Sequence, residues 1–164
     1  MRLGQYVTGV LALAVWVVLP CRTALGVEWV NITLPSAVSF AVTNATIATT
    51  GTPNPTQISF SLLSVLTGHA LRISIQANAS TFTPPAGTAT IPASNVSWTT
   101  SGAVNGTGYS GTLSSVAPVR VFQSTAGRTT GSVNLIWQLA APGSAIRAGS
   151  HTLVARWILE SVVP

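Results

Sequence analysis

Residues 69–77, HALRISIQA, decide the fold. Leu71, Ile73, Ile75 and Ala77 occupy every second position, and Arg72, Ser74 and Gln76 fill the places between. A period of two sends alternate side chains to opposite faces of an extended strand, whereas a helix needs apolar residues at three- and four-residue steps. The stretch therefore predicts a strand buried on one side. The same alternation runs through residues 57–63, where Ile58, Phe60 and Leu62 oppose Gln57, Ser59 and Ser61. It runs again through residues 36–44, where Val38, Phe40 and Val42 oppose Ser39, Ala41 and Thr43.

Working outward, the runs are separated by TGTPNPT (50–56), TPPAG (83–87), SGAVNGTG (101–108) and APGSAIRAG (141–149). Proline, glycine and asparagine punctuate strands because they fix or free the backbone where a ladder cannot continue. Strand after strand with such turns, rich in Val, Thr and Ser, predicts an all-β fold. The expected form is an antiparallel β-sandwich, immunoglobulin-like or a related Greek key, of about seven to nine strands. No interior linker divides the chain, so residues 27–164 read as a single domain.

Residues 1–26 read differently. Arg2 is followed by an apolar run from Val7 to Leu19 and a polar segment closing on Ala24, Leu25 and Gly26, the layout of a signal peptide with cleavage before Val27. This is the one segment that looks helical. Its apolar run is shorter than the roughly 20 residues of a membrane span, and no later stretch comes closer, so the chain is expected to be secreted to the extracellular side or cell surface without a span. Cys21 raises lipidation as a rival, against which Pro20 stands immediately before it. Cleavage at Val27 removes that cysteine, and an exported domain without disulfides relies on packing, which leans toward a bacterial source.

Charge is scarce. The formal net charge is +5, and removing Arg2 and Arg22 lowers it to +3, carried by five scattered arginines against Glu28 and Glu160. Nucleic-acid binding needs a dense basic stripe, which is missing, so no nucleic-acid partner is expected. A mild attraction to anionic wall polymers is compatible with this balance. The polar faces carry Ser, Thr, Asn and Gln in place of charges, which predicts a neutral, hydroxyl-rich exterior.

General acid–base chemistry needs positioned titratable groups. Beyond residue 26 there are two Glu, two His and no Asp, Lys or Cys. Glu28 and Glu160 lie near opposite ends of this stretch, and no Gly-x-Ser-x-Gly elbow accompanies His69 or His151, which read as polar strand-edge residues. No catalytic residue, metal site or cofactor is expected. The protein reads as non-enzymatic. Asn-x-Ser/Thr sequences at Asn31, Asn44, Asn78, Asn95 and Asn105 are common in a chain this rich in Ser and Thr, and inform mechanism not at all.

Two segments share a spacing. NLIWQLAAP holds Trp137 and Leu139, and ARWILESVVP holds Trp157 and Leu159. Period two places the first pair with Val133 and Leu135, and the second with Leu153 and Ala155. A large aromatic in such a stripe belongs to the core or, with an open indole face, stacks on sugar rings. Both readings stand at this point.

The last third, Val133–Leu139, Pro142 and Gly143, Ala148–Ser150, Leu153–Leu159 and Pro164, resembles the C-terminal part of the WxL domain of bacterial cell-surface proteins. The resemblance implies a β-rich exported domain bound non-covalently to the cell wall, with Trp137, Leu139, Trp157 and Leu159 as binding residues and Trp98 in VSWTTSG as the upstream counterpart. The expected partner is a cell-wall polymer or glycan. The export signal, the Ser/Thr-rich strands and the terminal strand are more loosely similar to secreted fimbrial or spore-coat-like subunits, which implies self-association through strand edges. In that reading VEWVNITLP, from Val27, is either a donated strand or the first strand of its own sheet.

Overall fold

A computed structural model of the chain describes residues 13–17, 27–65, 67–85 and 89–164, with backbone alone for 13–17, 27–30 and 62–65. The strands are β1 Leu13–Val17, β2 Val27–Thr33, β3 Thr49–Thr50, β4 Thr56–Val65, β5 Ala70–Ala77, β6 Val96–Val104, β7 Gly106–Gly108, β8 Gly111–Thr112, β9 Val119–Ser124, β10 Thr130–Leu139 and β11 Leu153–Val162. The fold is all-β, two sheets packed face to face. One sheet runs β2-β4-β10-β6-β8, with β3 beside β10; the other runs β1-β11-β5-β9-β7. Every named pair is antiparallel except β1 with β11.

The apolar positions of the opening stretch behave as its period demands, but the strand is not open on its other side. Ser74 and Gln76 are buried too, and of the polar positions only Arg72 is half-buried, because β5 lies between β11 and β9. Leu71, Ile73, Ile75 and Ala77 of β5 are buried in the core between the sheets, with Val121 and Phe122 of β9 and Leu153, Ala155 and Trp157 of β11. Facing them from the other sheet are Ile58 and Phe60 of β4, Val96 and Trp98 of β6, and Val133, Leu135, Trp137 and Leu139 of β10. Phe60 and Phe122 meet across the interface with ring centroids 5.8 Å apart.

Three expectations change. Residues 36–44 form no strand; Ser39 makes an isolated bridge to Thr52 while Val38, Phe40 and Val42 are buried beneath the sheets. Alternation reports which side chains face the core, and a segment held to its neighbour by a single bridge satisfies it without a ladder. Residues 101–108 are no turn: Ser101–Val104 extend β6, Gly106–Gly108 form β7, and the break narrows to Asn105, at φ 55°. Asparagine tolerates the left-handed region, so one residue suffices to pass the chain from one sheet to the other.

The third concerns the N-terminal segment. The expected leader lies outside the described residues apart from Leu13–Val17, which form a strand rather than a helix. Leu13 pairs with Leu153 and Val17 with Trp157, in parallel register. A sheet edge offers the backbone hydrogen bonds that an isolated short helix would have to supply alone.

Candidate functional site

The five tryptophan-linked residues come first. Trp98 and Trp137 are register partners on β6 and β10, 5.5 Å apart between centroids and tilted by 54°. Trp157, from the opposite sheet, meets Trp137 edge-on at 6.5 Å. The three indoles thus bridge the sandwich, at 1%, 1% and 0% exposure. Each indole N–H is satisfied: Trp98 donates to the Tyr109 carbonyl at 2.8 Å, Trp137 to Thr56 Oγ1 at 2.7 Å, and Trp157 to the Pro35 carbonyl at 3.4 Å. Leu139 is fully buried and Leu159 packs against the core from its rim.

Of the two readings left open for these residues, the core reading is the one the structure shows. An indole with both faces covered has no surface to stack on a sugar ring, so Trp98, Trp137 and Trp157 position the sheets instead. Gly51 supports this packing, since a Cβ there would lie 2.6 Å from Val38 Cγ1 and 3.0 Å from Trp137 Cβ. That constraint is invisible in the sequence because the contact spans β10 and the loop before β4.

The titratable groups are dispersed. Glu28 stands on β2 and Glu160 on β11, strands of different sheets. His69 Nδ1 lies 3.0 Å from Ser161 Oγ. His151 is not a polar edge residue; it is buried at 3% exposure, with Nε2 3.3 Å from the Arg147 carbonyl. Among the described residues no group of three or more His, Cys, Asp or Glu could hold a metal ion, and no helix is long and apolar enough to cross a membrane.

What the fold does assemble is a pair of contrasting outer faces. On the six-stranded side, register rows carry Gln57, Asn134 and Ser101 in one line, Thr33, Ser59 and Ser132 in another, Asn31, Ser61 and Thr130 in a third, and Thr50, Gln138, Ser97 and Thr112 in a fourth. All are uncharged amides or hydroxyls, partly or fully exposed. Ile136 and Val104 interrupt them.

On the other side stand Arg72, Arg120, Arg156 and Glu160. Gln123 Oε1 accepts from Arg120 Nη1 at 3.0 Å and from Arg72 Nε at 3.4 Å, and the Arg120 guanidinium lies 3.7 Å above the Tyr109 ring. Arg156 donates twice to Gln76 Oε1, at 2.7 and 3.2 Å, while Gln76 Nε2 donates to the Ser115 carbonyl. Arg72 and Glu160 form a long ion pair of 4.0 Å. An open pocket of about 410 Å³ lies among Arg72, Ser74, Pro118, Arg120 and Glu160. Sequence reasoning placed Arg72 on a polar strand face but took the arginines as scattered, and missed their gathering because the partner strands are distant in the chain.

No protein-family model matches the chain, and no curated protein sequence matches it.

Proposed function

We propose that the chain is an exported, non-enzymatic bacterial cell-surface protein whose six-stranded sheet engages a cell-wall polymer or extracellular glycan. One observation carries the reading: among the described residues, the outward register rows of that sheet carry amides and hydroxyls, interrupted by Ile136 and Val104, with no ionisable side chain among them. Neutral sugars present hydroxyl donors and acceptors, and such a face meets them without stripping water from a charge. Strand spacings of about 4.8 Å across and about 6.8 Å between same-side residues repeat those groups regularly along a chain-like ligand. The resemblance of residues 133–164 to WxL domains points the same way, with the tryptophans now holding the scaffold rather than touching the ligand.

The test is retention on purified cell-wall fragments. The Gln57→Glu, Asn134→Asp double substitution keeps shape and introduces two carboxylates on one register row, and retention should fall by at least about tenfold. Arg120→Gln, on the opposite sheet, should leave retention of neutral polysaccharide unchanged. Full retention by the double variant, with an unaltered circular dichroism spectrum, rejects the reading.

A second reading, a structural subunit of a pilus, fimbria or coat, is favoured by the ten-residue strand β11, over which β1 covers only Leu153–Trp157 on its outer side. Ordered polymers seen by electron microscopy in purified protein that wall fragments do not retain would select it.

A further inference from the structure

Four strands end the two sheets, and they are not alike. β7 and β8 have three and two residues. Short edge strands offer little backbone for another chain to pair with. β2 closes the third edge with seven residues. The fourth edge strand is β1, and beneath it lies β11, ten residues long and without proline inside the strand. β1 lies wholly inside the segment expected to be removed before Val27. Its removal would expose a long edge with none of the usual protections except Arg156 and Glu160.

The register defines what fits there. Leu13, Val15 and Val17 pair with Leu153, Ala155 and Trp157, which are buried on the core side of the sheet. Ala14 and Trp16 pair with Val154 and Arg156, which are half-buried and exposed. Neighbours in register share a face of the sheet. An occupant of this edge therefore needs apolar residues at three alternate positions and tolerates variety at the two between.

We propose that the outer edge of Leu153–Trp157 is a docking site for an extended polypeptide strand with alternating apolar residues, running parallel to β11, and that Leu13–Val17 holds the place until the leader is removed. Backbone hydrogen bonds along the edge supply affinity, and the three core-side positions supply selection, as in recognition by β-strand addition. The occupant is a partner's segment with the apolar pattern of residues 13–17. The inference rests on leader removal and on the structural-subunit reading, and is independent of polymer binding by the opposite sheet.

The experiment uses the chain recovered after export, its N-terminus read by mass spectrometry. The probe is a peptide of residues 12–18 flanked by lysines for solubility. It should bind one to one, raise the melting temperature, and slow amide exchange at Leu153–Trp157. A peptide carrying lysine at the positions of Val15 and Val17 should bind at least about tenfold more weakly, because each charge would enter the dry layer between the sheets. Absence of binding to the folded, processed chain overturns the proposal, as does protection elsewhere, equal binding of both peptides, or an exported chain that still carries residues 13–17. Failure of wall fragments to retain the unsubstituted chain, with peptide binding intact, would sink the polymer reading and leave this one standing.

Discussion

The two outer faces of the sandwich obey one alternation rule and end up chemically opposed. On the β5-β11-β9 side, arginines are pinned: Gln123 and Gln76 carbonyls each receive two guanidinium N–H groups, and Tyr109 supports Arg120 from below. On the β4-β10-β6 side, Gln57 Nε2 reaches Asn134 Oδ1 across the strands at 3.4 Å. Charged groups there are replaced by amides and hydroxyls that remain turned to solvent. The difference teaches that the polar faces are not equivalent coatings: one is organised against itself, and the other is left largely to solvent.

The contrast depends on the sheets being held together, so its most severe test is at the joint. Trp157→Ala should cost about 3–5 kcal/mol in urea unfolding, since it empties the only tryptophan contributed by β11 to the stack with Trp137. A loss below about 1 kcal/mol would show that the layers are joined elsewhere. Next comes Thr56→Val, which keeps the volume but removes the acceptor for Trp137 N–H. Leaving that buried donor unpaired should cost about 1–3 kcal/mol.

The faces themselves can then be compared directly. Gln123→Ala should destabilise by about 0.5–1.5 kcal/mol, because two guanidinium hydrogen bonds end on its carbonyl. Gln57→Ala on the opposite face should stay within about 0.5 kcal/mol of the parent. Equal losses in thermal or urea unfolding would erase the distinction between an organised and an open face. The smallest effect belongs to Arg72 and Glu160, whose side chains are 35% and 48% exposed at a 4.0 Å separation. A double-mutant cycle should give no more than about 0.5 kcal/mol of coupling after solvent screening, vanishing in roughly 1 M salt.

Much of this was legible from local pattern. The alternation in residues 57–63 and 69–77 located β4 and β5 and the buried Ile58, Phe60, Leu71, Ile73, Ile75 and Ala77, since strand geometry leaves no other way to segregate apolar side chains at period two. It did not locate the burial of Ser74 and Gln76, which comes from the strands on either side. The same pattern misled at residues 36–44, where burial of Val38, Phe40 and Val42 occurs without ladder partners. Residues 101–108 misled in the other direction, because Gly102, at φ 59°, passes through β6 without ending it, and the chain leaves the ladder only at Asn105. The candidate site was legible in composition and not in place: Ser, Thr, Asn and Gln were visibly abundant, but their rows exist only after β4, β10, β6 and β2 are set in register.

By itself the sequence determined the all-β class, the shortage of ionisable groups and which apolar positions of β4, β5, β10 and β11 form the core stripe, because those follow from the two-residue period and from residue chemistry. Tertiary structure alone decided that Trp98, Trp137 and Trp157 meet across the core, that the arginines gather on one sheet while the amides gather on the other, and that the edge of β11 is the one Leu13–Val17 covers. Those outcomes depend on which strands become neighbours, and pairing between segments distant in the chain leaves no trace in the local alternation of either strand.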